Sequence, residues 1–197
     1  MEGCMSTSIS ARPAIVGTFI WLVVATAVGL TGVLGAVSAG PQLVALTLTV
    51  VAVFVSTRVA VVRQSVDALP IQALVGIHVV RFIGIAFLVL GARGELSPLF
   101  AERAGWGDLT TATIAGIFLL IGLAKTIPPR ALVAWNVFGI IDLIVAVTTA
   151  AFVVVRGDVP GMDPLLRLPL VLVPIFAVPL LFATHIALFR RLWPAIK

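Results

Sequence analysis

Six long apolar segments make up most of this chain and constrain its fold more than any other feature. Each has at least 19 residues, close to the length that an α-helix needs to cross a bilayer. Only 11% of the 197 residues are charged and 61% are hydrophobic, whereas soluble domains carry about 25% charged residues. The sequence therefore predicts an all-α integral membrane bundle, a single domain over residues 1–197, with six transmembrane helices at residues 14–37, 43–62, 71–90, 109–127, 131–155 and 168–189.

The longest connection, residues 91–107, lies between the third and fourth segments. Within it, Ser97 followed by Pro98 is typical of a helix start, and Gly105 is typical of a helix end. We therefore expect a short helix in the membrane interface between spans three and four, anchored at headgroup level by Trp106. Asp108 is then expected to cap the fourth span at the membrane surface.

The distribution of lysine and arginine predicts the orientation. Eight of these residues fall on the side of the two termini and four on the opposite side, so the positive-inside rule places both termini in the cytoplasm. The eight are Arg12, Arg58, Arg63, Lys125, Arg130, Arg190, Arg191 and Lys197. Because the basic residues form no patch, the net charge of +5 does not indicate a nucleic-acid partner. The expected partners are the lipid bilayer and a small solute, and a homo-oligomer stays open.

Charged residues inside the apolar segments suggest an internal site. Arg81 lies in the third segment and Asp142 in the fifth, and counting from the predicted inner ends puts them at similar depths, about 15 and 16 Å. A charged residue near the bilayer centre needs a partner or water, and a carboxylate suits the guanidinium geometry. We expect Arg81 and Asp142 to face each other. Two interpretations stay open: the pair locks two helices together, or it binds a solute or relays a proton.

His78, Asn136 and His185 form a second polar set, expected in the cytoplasmic half of the third, fifth and sixth segments. Two histidines on different helices could be the axial ligands of a haem b. The alternative is that they form hydrogen bonds inside the bundle or lie in the interface. No cluster of carboxylates accompanies them, so another metal is not predicted.

Pro174 and Pro179 lie within the sixth segment. Each proline removes one backbone hydrogen bond and displaces the carbonyl four residues earlier, which inside a membrane must find another partner or line a cavity. Helix breaks near the midplane are a feature of transporter sites, although proline kinks also occur in structural helices.

Three stretches in combination resemble a known set of proteins. They are Phe100 to Asp108, Trp135 to Leu143, and Pro169 to His185. With His78 and Arg81, they are similar to an uncharacterised family of small six-span bacterial membrane proteins, over roughly residues 76–189. The resemblance implies a multi-pass protein of the bacterial plasma membrane and implies no activity.

Three functional hypotheses follow. The first is a small transporter or channel-like protein for an anionic or protonatable solute, with an internal site of Arg81, Asp142, His78, Asn136 and His185 and the helix break at Pro174 and Pro179. The second is a redox or lipid-modifying protein that holds haem b between the two histidines, and the third is a scaffold or assembly partner. An enzyme is less favoured, because no P-loop, His-Glu-x-x-His or Gly-x-Ser-x-Gly motif is present.

Overall fold

The structure, a computed structural model, describes residues 10–36, 40–122, 126–157 and 160–196, and all regular structure in these ranges is helical. Six helices in these ranges are long and apolar enough to cross a membrane, which confirms the predicted all-α fold with six spans. The helices are α1 (Arg12–Thr31), α2 (Gly40–Arg58), α3 (Ala60–Asp67), α4 (Ile71–Ala92), α5 (Pro98–Gly122), α6 (Pro129–Val155) and α7 (Val173–Ile196), of which α3 alone is too short to span.

The prediction of a separate interfacial helix between spans three and four is wrong. Helix α5 starts at Pro98, as expected, but continues without a break through Gly105 and Asp108 to Gly122. Gly105 lies inside the helix, at the point where α4 crosses α5. A side-chain carbon added at Gly84 of α4 would come within 2.6 Å of the Gly105 carbonyl oxygen. Two glycines thus let the backbones of α4 and α5 approach closely, and the sequence Gly105 to Gly107 marks a helix contact rather than a helix boundary.

The spans differ from the predicted ones in their bounds and in their winding. Helix α1 ends at Thr31 and not at residue 37. Helix α2 ends at Arg58, and α3 follows after a break at Val59. Helix α7 begins at Val173 with a π-helical turn, Val173–Ala177, so residues 168–172 precede the helix. In α4, the segment His78–Ile83 is wound as a 3₁₀ helix.

The bundle is held together by α4 against α5, α5 against α6, and α2 and α6 against α7. Helix α1 is peripheral: the sole described residue that it buries is Ala25. Where α3 meets the end of α7, Arg190 pairs with Asp67, and Arg191 donates to the Leu69 carbonyl at 2.6 Å. This arrangement places the middle of α4 opposite the middles of α5 and α6, where the polar residues lie.

Candidate functional site

A buried ion cluster centred on Arg81 lies in the middle of the bundle. Its Nε donates to Oδ1 of Asp108 at 2.6 Å, and its Nη2 pairs with Oδ2 of Asp142. Its Nη1 donates to the carbonyl of Gly139 at 3.2 Å. Arg81 is 1% exposed, so each nitrogen of a fully buried guanidinium has an acceptor within the bundle.

Asp108 corrects the predicted composition of this cluster. It does not cap a helix at the membrane surface; it lies ten residues into α5 and is buried, at a depth of about 15 Å from the start of that helix. The structure therefore brings Arg81 and Asp142 together and adds a second carboxylate. One guanidinium and two carboxylates carry a formal net charge of −1.

Two glycines make room for the cluster. A side-chain carbon at Gly107 of α5 would overlap the carboxylate of Asp142, so the absence of a side chain there lets Asp142 reach the guanidinium. On α6, a carbon added at Gly139 would lie 2.7 Å from Nε2 of His185. The Gly139 carbonyl faces Arg81 while its bare Cα faces His185, so this residue separates the ion cluster from the histidines.

The second polar set lies on the other side of Gly139, and one ring nitrogen of each histidine, Nδ1 of His78 and Nε2 of His185, is buried without a hydrogen-bond partner. The hydroxyl of Thr184 donates to the Leu181 carbonyl at 2.9 Å and so accepts the N–H of His78 Nε2 at 3.2 Å. Asn136 donates to the His185 carbonyl at 3.1 Å and accepts from His185 Nδ1 at 2.8 Å. These bonds tie α4, α6 and α7 together.

The two imidazole rings are in direct contact, and this contact decides against haem. Their centroids are 4.0 Å apart, and Trp135 packs edge-on against His78. Two rings bonded to opposite faces of one iron through metal–nitrogen bonds of about 2 Å keep their centres about 6 Å apart. No haem fits between His78 and His185 in this arrangement. Within the described ranges, no group of three histidine, cysteine, aspartate or glutamate residues is arranged to hold a metal ion.

Of the two prolines expected to break the sixth span, Pro174 lies beside a large cavity. The π-helical turn absorbs the break: the carbonyl of Leu170, four residues before Pro174, accepts from the N–H of Val173 at 3.0 Å, and the carbonyl of Val173 accepts from the N–H of Val178. Pro174 lines the cavity, and Pro179 is fully buried.

The cavity has a volume of about 600 Å³ and reaches Arg81 and Asp108. Its wall comes from α1, α2, α4, α5, α6 and α7 and from the segment before α7. Three of the side chains that line it are polar, Gln42, Arg81 and Asp108, and the rest are apolar. The volume falls in the range of about 300–1,000 Å³ that small-molecule sites occupy, so the ion cluster forms part of the wall of a pocket large enough for a ligand.

One comparison with known proteins gives a match. The sequence profile of a family described as a domain of unknown function (DUF8737) matches residues 38–193. The chain belongs to this family. The DUF8737 segment contains α2 to α6 and all but the end of α7, and therefore both polar clusters, whereas α1 lies outside it. No curated protein and no solved structure matches the chain. Membership of an uncharacterised family is thus confirmed, and its description names no activity.

Sequence reasoning missed several residues that build the site. Asp108, Gly107 and Gly139 shape the ion cluster, Thr184 completes the histidine cluster, and Gln42 lines the cavity. The glycines on either side of Trp106 were a usable signal, since glycine is frequent inside transmembrane helices where backbones approach closely.

Proposed function

We propose that this protein is a small transporter for a solute that carries a protonatable or otherwise cationic group. The observation that supports it is the pairing of one buried guanidinium with two buried carboxylates in the wall of a cavity. Intramembrane charges of this kind mark solute or proton pathways in many membrane proteins. The formal charge of −1 favours a cation or a proton over an anion at this point of the wall.

The same cluster argues against an anionic solute. Arg81 is the cation that would have to bind an anion, and its three nitrogens already donate to Asp108, Asp142 and Gly139. An anion would have to displace a carboxylate from the guanidinium and leave that carboxylate buried and unpaired, which costs several kcal/mol, about 3–5. A protonated amine meets no such cost, because it adds the missing positive charge.

The test is transport by proteoliposomes measured as charge movement on a solid-supported membrane. A panel of small amines should give protein-dependent currents, and the matching carboxylic acids should not. Asp142→Asn removes the net negative charge and should abolish the amine currents, while Glu102→Gln, at an exposed position of α5, should leave them intact. Currents driven by carboxylates alone, or amine currents unchanged in Asp142→Asn, would refute the proposal.

The site of action that goes with this function is the plasma membrane of a bacterium, with both termini in the cytoplasm. The excess of lysine and arginine on the side of the termini supports this orientation. Fusions of a fluorescent protein and of alkaline phosphatase to the C-terminus test it: the fluorescent fusion should be active and the phosphatase fusion inactive, and the reverse result would invert the topology.

An assembly partner is a second candidate, supported by α1. This helix lies outside the matched segment and packs loosely, with 6% of its span buried against 17–50% for the other five spans. A partner helix in the same membrane would cover the exposed apolar side of α1. Deletion of α1 should then release a co-purifying membrane protein, whereas α1 deletion without loss of any partner would remove this candidate.

A further inference from the structure

The polar groups that face the cavity differ in their hydrogen-bonding capacity. Oε1 of Gln42 is buried and has no hydrogen-bond partner, and Asp108 presents a carboxylate. Each nitrogen of Arg81, in contrast, already donates one hydrogen bond, to Asp108, Asp142 or Gly139. The cavity therefore offers acceptors to an occupant, and a ligand that fits it must bring the donors or the positive charge.

The two acceptors lie at different depths. Gln42 is two residues from the start of α2 and Asp108 ten residues from the start of α5, so their depths are about 3 and 15 Å. Both starts border the same cavity, because Gln42 and Phe100 line it together. The cavity thus extends over about 12 Å along the membrane normal, and the wall between the two acceptors is apolar.

We propose that this cavity binds a lipophilic amine: a molecule with one protonated nitrogen near Asp108 and an apolar body that extends toward Gln42. The proposal rests on the proposed function, since it names the substrate class of the same site. Burial of an alkyl body adds little selectivity, because a membrane-dissolved molecule is already out of water. Selectivity therefore comes from the charged end at Asp108.

Four probes with the same ten-carbon chain separate these contributions: decylamine, decyltrimethylammonium, decanol and decanoate. Each is added to the full-length protein in lipid nanodiscs, and the thermal unfolding midpoint is measured, because a ligand that binds the native state raises it. We expect decylamine to give the largest increase, decyltrimethylammonium a smaller one because it lacks an N–H donor, and decanoate none. The constant chain keeps the apolar contribution the same, and a variant with a filled cavity shows the general effect of each probe on the bilayer.

Variants assign the binding to the cavity. Asp108→Asn should abolish the preference for the two cations, and Ala150→Trp, which fills the cavity, should abolish the increase for all probes. Ala134→Trp, at an exposed position of α6, is its matched control.

The outcomes also separate this inference from the proposed function. Equal stabilisation by decanoate and decylamine, or an unchanged preference in Asp108→Asn, would overturn the inference. Selective binding of decylamine without amine-driven currents would refute transport and leave the inference standing. Currents with short hydrophilic amines but no effect of decylamine would refute the inference and leave transport standing.

Discussion

The charge balance of the Arg81 cluster makes a quantitative prediction that a simple ion pair would not make. If one guanidinium serves two carboxylates, removal of one carboxylate leaves a neutral pair, whereas removal of the guanidinium leaves two buried negative charges. Asp142→Asn should therefore be tolerated, and Arg81→Leu should not. Asn is the appropriate replacement because it keeps an oxygen that accepts from the Arg81 guanidinium.

The magnitudes follow from the geometry. Each carboxylate attracts the guanidinium by about 4 kcal/mol at about 4 Å with an effective dielectric constant of about 20. The two carboxylates bind different nitrogens of one guanidinium, so their mutual repulsion is somewhat smaller, about 3 kcal/mol on the same scale. Asp142→Asn loses one attraction to the guanidinium and also removes the repulsion between the carboxylates. It should therefore lower the free energy of unfolding by about 1 kcal/mol. Arg81→Leu leaves uncompensated buried charge and should cost about 3–5 kcal/mol. The double variant Asp108→Asn with Asp142→Asn strands the guanidinium and should cost about the same.

The assay is unfolding in mixed micelles as the fraction of sodium dodecyl sulfate is raised, followed by the fluorescence of the four tryptophans. The free energies of unfolding should rank wild type and both single Asp→Asn variants together, well above Arg81→Leu and the double variant. Asp142→Asn as damaging as Arg81→Leu would show that the cluster is a single obligatory pair. Additive effects of the two Asp→Asn changes would show that the carboxylates do not share one guanidinium.

Two further predictions concern the helix contacts beside the cluster. Gly139→Ala should lower the free energy of unfolding in the same assay by about 1–3 kcal/mol, because the added carbon would lie within 2.7 Å of the His185 ring and overpack the site; Gly116→Ala, with nothing within 4 Å, should be neutral or stabilising by up to about 1 kcal/mol. Trp135→Phe should cost about 1–3 kcal/mol, because it leaves the α5 backbone carbonyl that accepts the indole N–H at 3.0 Å buried without that donor.

The helices and one half of the ion cluster could be predicted from the sequence for a physical reason. A bilayer requires about 20 apolar residues per span and satisfaction of every backbone polar group within the helix, so the spans are visible as apolar segments. Counting residues from the helix ends then gives depth, and Arg81 and Asp142 were placed at the same level. Two charged side chains can pair only if they lie at similar depths in the bundle, and Arg81 and Asp142 do form an ion pair.

The remainder of the site depends on how closely helices approach, which hydropathy does not record. Asp108 follows Gly107, a pattern that is typical of a helix start. Helix α5 nevertheless continues through both residues, and Gly84 packs against Gly105 one turn earlier. The contact between His78 and His185 likewise depends on the absence of a side chain at Gly139. The cavity is a property of six helices together, and no local pattern in the sequence contains it.

The two halves of the bundle are packed differently, and under the proposed transport function this difference predicts where the bundle would open. The half that contains the cavity has open space beside its apolar core. The other half is filled by an apolar core in which Leu74 and Leu188 are fully buried, and the hydrogen bond between His78 and Thr184 closes it. A solute at Asp108 can leave on that side if α4 and α7 separate, which breaks this bond. Thr184→Val removes the acceptor, leaves a buried imidazole N–H unpaired and should destabilise the closed state by about 1–3 kcal/mol.

A loss of this size raises the population of the open state by roughly 5- to 150-fold, since about 1.4 kcal/mol corresponds to a factor of ten. Hydrogen exchange in nanodiscs should therefore accelerate by that factor in the peptide that contains residues 182–189 of α7. The control is Thr113→Val, because the exposed Thr113 hydroxyl donates to the Leu109 carbonyl of its own helix and does not connect helices. Equal exchange in wild type and Thr184→Val would mean that the histidine cluster is not the closure between α4 and α7, and that opening, if it occurs, breaks other contacts of the filled half.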